Sequence, residues 1–497
     1  MTGTRLLTTL LIGVTLILTT AGVTGGRPLA APPHPESCVA GPHNGHITAD
    51  EEWCVADNPH IISGEVTVDG GVVLTLEPGV IVQTVTGARL TVLGHLEAAG
   101  SAAQPILLTS STDSSAAKWG GLNLNGSAGD GTALLRYVTV RYGGDGVVGG
   151  GNINVQGIQA GEIHLEHCRV EHGFNHYGMR IAAGSAVAIS DTTFDHNGDS
   201  ASDAALVVEG SVVTITNSTI QNTTGHGIQA AGVNTSLRIS GGGVTGSSGD
   251  GINISGGSVT LVVNHTDISN NSGDGIDTNS TVAPTVHLST ITGNGGYGII
   301  NRYNVCLDAS YNYWGDDRGP LDSSDEQDGC MGTVANTATG GEEVSDHVYY
   351  YPWLGNDGFA VSTLTVTQTA LDFDGPPLEG GEPLHYTIVV SNSFPLPTYQ
   401  VAITETFPAY TTYIWDSDEP NADVETSEHL VWLDRTMYAG ANSVEFMVIV
   451  RATAAGRIIR NVACIQQPHG LPVCSDPLDL PVTGHPVFLP VILRYSP

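Results

Sequence analysis

The sequence predicts an all-β chain in two parts, a parallel β-helix over residues 61–354 and an antiparallel immunoglobulin-like β-sandwich over 364–483. Three observations carry that prediction. Short apolar motifs recur about every 24 residues in the first part, longer alternating runs replace them after Leu354, and no run of ten residues keeps a helical period. Composition agrees with it. Glycine supplies 64 of 497 residues, hydrophobic residues 40% and charged residues only 13%. Such a chain is too apolar for a disordered polyanion and too poor in charge for long helices laced with ion pairs. The formal net charge is −34 and Lys118 is the single lysine, so phosphate backbones would repel it and nucleic acid is not an expected partner.

The repeat holds in three registers. Glycine followed by isoleucine occurs at Gly227, Gly251, Gly275 and Gly298, spaced 24, 24 and 23 residues apart, and Tyr177-Gly178-Met179 and Asp203-Ala204-Ala205 extend the series backward. Apolar triplets run in step at Ile163/Leu165/Val170, Val187/Ile189/Phe194, Val213/Ile215/Ile220, Leu237/Ile239/Val244 and Leu261/Val263/Ile268. A polar series follows at Asn197, Asn222, Ser247, Asn271 and Asn294. Period-two alternation within each short run marks a strand with one buried face, and Gly, Asn, Ser and Asp between runs mark corners. Each repeat therefore reads as one coil of three short strands, with successive coils about 4.8 Å apart. The Asn series is expected to form a side-chain ladder on backbone groups at one corner. Cys168, Thr192, Ser218, Gly242 and Thr266 share a second small-residue position, which makes Cys168 a core residue.

Residues 1–21 read as a secretory signal peptide: Arg5, an apolar run Leu6–Thr20, and small residues Thr19 and Ala21 at the cleavage point. Residues 22–60 read as leader, linker and N-terminal cap, and 484–497 as a C-terminal tail. The expectation is a secreted, extracellular or cell-surface protein that does not span a membrane once the signal is removed. Six of the seven cysteines fall into close pairs, Cys38/Cys54, Cys306/Cys330 and Cys464/Cys474, as local disulfides in an exported protein would.

Residues 64–83, 90–111 and 119–126 ("WGGLNLNG") resemble the opening coils of bacterial secreted right-handed parallel β-helix proteins. "DASYNYWGDDRGP" (308–320) with "VSDHVYYYPWL" (344–354) resembles the segment that closes such helices. The resemblance covers about residues 60–354 and implies a right-handed solenoid. It implies no single activity, because the repeat carries lyases, hydrolases, adhesins and spacers. In the last third, "EGGEPLHYTIVVSN", "VAITETFPAYTTYI", "AGANSVEFMVIVRA" and "IIRNVACI" resemble the DUF11-type repeat of bacterial surface proteins, which implies a stalk or spacer.

Stacking turns the repeat into a surface. Tyr177, Asp203, His226, Asp250, Asp274 and Tyr297, each just before the repeat position, are expected along one edge, with Arg180, Gln229, Asn253 and Asp277 outward beside them. Aromatic, carboxylate and imidazole groups in register suit an extracellular polysaccharide or cell-surface glycan. That is the expected partner of a glycan-binding or structural, adhesive β-helix. The alternative is a polysaccharide-degrading enzyme, with Asp250 and Asp274 as acid and nucleophile and His226 tuning one of them. "TGHGI" and "GDGID" are similar to polygalacturonase motifs, but here the His precedes both aspartates and no Arg-x-Lys follows. A competing reading makes Asp-Gly simply the corner that the coil demands. A pectate-lyase mechanism lacks the cations to hold a polyuronate. No cofactor is required; Ca²⁺ is the one optional ion, at the acidic loop Asp316, Asp317, Asp322, Asp325, Glu326 and Asp328. His164, His167, His172 and His176 read as surface histidines, so no metal site is assigned.

Overall fold

The computed structural model describes residues 38–483 apart from 145–149, 158–161, 183, 324–329, 331–335, 338, 362 and 395–396. The expected signal peptide, the leader up to residue 37 and the tail 484–497 lie outside the described residues.

From His43 to Tyr349 the chain winds through about ten turns of a parallel solenoid, a 30-stranded sheet in three columns. The first column runs through Val66–Val68, Leu90–Val92, Leu122–Asn125, Ile153–Gln156, Tyr177–Ile181, Ala204–Glu209, His226–Ala231, Ile252–Ile254, Ile276–Thr278 and Ile299–Asn301. The second and third columns repeat this in the same order along the chain. Register makes the core. In the third column Val82, Leu108, Val140, Val170, Phe194, Ile220, Val244, Ile268 and Ile291 sit one above another, each at most 1% exposed. Fully burying such a side chain contributes about 1.5–3 kcal/mol, and every coil adds several. The apolar triplets of the repeat are these inward positions.

The corners follow from backbone accounting, since buried N–H and C=O groups need partners. At one corner Asn271 Nδ2 donates to the Val244 carbonyl at 3.1 Å while its Oδ1 accepts from Ser247 N at 3.0 Å. Asn294 repeats this one coil on, donating to Ile268 O and accepting from Asn271 N. Asn197 does the same between Val170 O and Gly173 N. Asn222 does not belong to this ladder. It is exposed at φ 52°, and the buried Thr223 fills the position without bonding the backbone through its hydroxyl. Asn222 instead joins a column of left-handed residues with His172, His196, Gly246, Asn270 and Gly293, a conformation that Asn and His tolerate better than most side chains. At the second corner Cys168 N donates to Thr192 Oγ1, Thr192 N to Ser218 Oγ and Thr266 N to Ser289 Oγ. Cys168 is buried there with its thiol on the Leu135 carbonyl.

After Leu354 antiparallel sheets replace the solenoid: a two-stranded ribbon of Ile458–Asn461 with Leu478–Pro481, and two larger sheets. One orders Leu364–Asp372, Pro383–Asn392, Gly440–Val450 and Thr411–Tyr413. The other orders Val424–Glu425, His429–Met437, Thr398–Thr406, Ala463–Gln466 and Val473–Cys474. Between them lies a separate core that includes Trp432 and the stacked rings of Tyr386 and Phe446, 5.1 Å apart. Disulfides join Cys38 to Cys54, Cys306 to Cys330 and Cys464 to Cys474.

Candidate functional site

The glycine of each Gly-Ile motif is needed inside the column. A Cβ on Gly227, Gly251 or Gly275 would stand 2.6, 2.7 or 2.5 Å from the carbonyl oxygen of the next coil's glycine. The residue before it therefore sits at a fixed corner, and its side chain reaches along the column axis. Asp250 Oδ1 accepts from Asp274 N at 2.9 Å, and Asp274 Oδ1 accepts from Tyr297 N at 2.7 Å. His226 Nδ1 lies 3.1 Å from Asp250 N and 3.2 Å from Asp250 Oδ2. It accepts from the amide when bare and donates to the carboxylate when protonated. Asn253 Nδ2 also donates to Asp250 Oδ2, at 2.9 Å. A side chain on Gly273 or Gly296 would strike Asp250 Oδ1 or Asp274 Oδ1 respectively, so each carboxylate needs a glycine on the coil beyond it.

The structure thus brings His226, Asp250, Asp274 and Tyr297 into one ladder, and the two carboxylates hold backbone amides of the following coil. They sit in different fields. For Asp250, burial works toward a raised pKa, but bonds from His226, Asn253 and the Asp274 amide outweigh it and hold the group below the usual range. For Asp274, burial comes first and the nearby Asp250 and Asp277 add to it, leaving its pKa raised. Arg302 lies over this end, with Nε 2.7 Å and Nη2 3.0 Å from the Asp277 carboxylate and Nη2 3.8 Å from Asp274.

Asp203 is not a rung of this ladder. Tyr177 pairs with Ala204 and Ala204 with His226, so Ala205 takes the glycine position and Asp203 falls one residue short. The coil from Gly178 to Ala205 is 27 residues long and the next, to Gly227, only 22. Asp203 is fully buried and turns back into its own loop, accepting from Asp199 N and Ser200 N at 2.8 Å each and facing His176 Nδ1 at 3.0 Å. Burial opposes its charge, yet these bonds hold it at about 2. Arg180 is likewise separated from the other outward residues, because Val207, 2% exposed, stands between it and Gln229. Arg180 pairs with Glu209 instead. The unbroken outward series is Gln229, Asn253 and Asp277, with Ile300 after it.

Ring stacking at the left-handed corners was not anticipated from the repeat. Tyr137 stacks on His167 with centroids 4.7 Å apart, and Tyr142 on His172 at 5.3 Å. His172 continues to His196 at 5.5 Å. Extending the 24-residue period to the positions just before the polar rungs would have exposed these rings. Among the described residues no three His, Cys, Asp or Glu side chains gather to hold a metal ion, and Asp325, Glu326 and Asp328 lie outside them. Cavities of about 480 and 370 Å³ lie near the end of the column, the first against Asp317 and Phe359, the second between Asn294, Trp314 and Glu342. Neither is lined by His226, Asp250 or Asp274.

Two family descriptions match the chain: a right-handed beta helix region over residues 120–305 and a pectate-lyase-like beta helix domain over 45–146. The chain carries a right-handed parallel β-helix. No curated protein matches its sequence. Among solved structures, this β-helix protein shares 11% identity with the enzymatically active domain of tailspike protein 2 from bacteriophage CBA120, covering 88% of this chain and 66% of that one, with a TM-score of 0.30. The full-length tailspike protein 2, from an Escherichia coli O157:H7 bacteriophage, gives 10% identity, 88% and 59% coverage and a TM-score of 0.31. A DUF4466 family protein from Parabacteroides merdae gives 12% identity, 24% and 45% coverage and a TM-score of 0.17. The chain spans less than two thirds of each of those lengths. Among the described residues no helix is long and apolar enough to cross a membrane.

Proposed function

We propose that this is an extracellular glycan-binding β-helix protein. Its binding face is the outward series Gln229, Asn253 and Asp277, flanked by His226, Asp250, Asp274 and Tyr297, and the C-terminal sheets serve as a DUF11-type spacer. One observation carries the reading: three polar side chains repeat in strict register on adjacent coils. The coil rise of about 4.8 Å is close to the length of one sugar ring, so successive rungs meet successive sugars. Fixed amides and carboxylates then bond hydroxyls. The surplus of negative charge disfavours polyuronates and favours neutral or amino-sugar polymers. Three disulfides accord with an extracellular setting.

A second reading, glycan cleavage, is favoured by the opposite displacement of the two carboxyls, since a raised Asp274 and a lowered Asp250 form the pattern of an acid and its charged partner. A panel of neutral, acidic and amino-sugar polysaccharides, screened for binding and for new reducing ends, tests both readings. Binding without turnover, weakened at least tenfold in a Gln229→Ala/Asn253→Ala variant, is the expected outcome. Turnover abolished by Asp274→Asn would establish the second reading; no binding to any member would remove the first.

A further inference from the structure

The innermost layer at the N-terminal end of the column is not aliphatic. His43, Trp53 and His60 stack there, with centroids 3.9 Å apart for His43–Trp53 and 5.2 Å for each other pair. His60 is fully buried and His43 8% exposed. The geometry fixes where the protons sit. His60 Nε2 lies 2.9 Å from the Cys54 carbonyl, which only accepts, so this nitrogen carries hydrogen. Neutral His60 then has a bare Nδ1, and His43 Nε2, 3.0 Å away, donates to it. His43 Nδ1 is left facing Glu51 Oε1 at 3.7 Å, an oxygen already accepting from Trp53 Nε1 at 2.7 Å. A proton added to His60 would set two donors against each other across 3.0 Å, and one added to His43 must enter a buried layer.

We propose that the His43–His60 pair is an acid-sensitive latch that holds the N-terminal cap on the column near neutral pH and releases it on acidification. The latch closes strands His43–Ile47 and Glu51–Trp53, which pair with Val66–Val68 and Leu74–Leu76. Release uncovers the inward Val66, Val68, Leu74 and Leu76 and leaves two strand edges unpaired, a surface open to other chains. The Cys38–Cys54 bond lies within the released segment and keeps it a closed loop. The charged group that faces the pair is Glu51, beside His43; Glu77, on the next coil, accepts from Val55 N at 3.0 Å. Burial, then the neighbouring His60, lowers the His43 pKa from 6.5 to about 4. The folded pKa of a base is depressed, so the latch is fully closed above pH 6.5 and weakens as pH falls toward 4. That displacement corresponds to a loss of closing preference on the order of 300-fold.

The test is hydrogen exchange by mass spectrometry on the full chain between pH 7.5 and 4.0, corrected for intrinsic rates. Peptides covering residues 39–57 should lose protection by about 100-fold or more while peptides over 187–268 hold theirs. His43→Gln, which keeps a donor toward His60 and does not titrate, should flatten the response. His46→Gln, which removes only the exposed contact with Asp69, should not. Flat protection over 39–57 in the unmodified chain, or an unchanged pH response in His43→Gln, overturns the proposal. Should His43→Gln fail to fold, the His43 ring titration in the unmodified chain decides by NMR: a midpoint near 4 supports the latch and one near 6.5 refutes it.

Discussion

An aspartate that precedes a repeat glycine is spent largely on the backbone of the next coil, and this sets what each substitution costs. Asp250→Asn keeps an oxygen for the Asp274 amide, whereas Asp250→Ala leaves that amide without an acceptor. The alanine variant should lose about 1–3 kcal/mol in denaturant unfolding and the asparagine variant much less. Gly251→Ala places a methyl 2.7 Å from the Gly275 carbonyl, and overpacking of this kind costs about 1–3 kcal/mol, read in the same titration. Cys168 is the converse case, a nucleophile type kept inert. Burial pushes its thiol up to about 11, so iodoacetamide should label no cysteine in the native, unreduced protein and one after denaturation.

At the scale of the element, the strand Thr398–Thr406 carries a conflict between alternation and chemistry. Glu405 takes an inward position in an otherwise apolar face and is fully buried. Burial, opposed only by the Asn461 side chain, raises its pKa from 4.5 to about 8. A carboxyl whose folded pKa is raised favours folding while it is neutral. Its contribution is therefore complete below pH 4.5 and lost as pH rises through 8, on the order of 5 kcal/mol across that range. Protection of the peptide 401–407, corrected for intrinsic exchange rates, should rise on acidification, and Glu405→Gln should remove the trend; an unmodified chain least protected at pH 5 would contradict it. The solenoid strands were far easier to read. Val187/Ile189/Phe194 and its equivalents announced their register because every coil buries the same three positions. Asn222 and Asp203 stand one residue away from the positions that spacing predicts, for a physical reason. A loop can lengthen one coil to 27 residues and leave the next with 22, and spacing alone does not say where the extra residues are absorbed. The ring stacks at His167 and His172 were hidden for another reason: nothing in a lone histidine signals a left-handed backbone.

For the molecule as a whole, the two ends answer acid in opposite directions: the N-terminal cap loosens as His43 takes up a proton, while the C-terminal sheets tighten as Glu405 does. Between them the column is held by register, and the proposed glycan face exists only if sequence-distant equivalents are neighbours. That condition is open to direct chemistry. Cysteines placed at Gln229 and Asn253 would stand on adjacent rungs about 4.8 Å apart, within the Cα range a disulfide spans, whereas Gln229 and Asp277 are two rungs apart, beyond it. On mild oxidation the Gln229→Cys/Asn253→Cys variant should form an intramolecular bond in the folded protein, and Gln229→Cys/Asp277→Cys should not. Bond formation in the second pair and not the first, or in neither, contradicts the stacked register and removes the binding face with it.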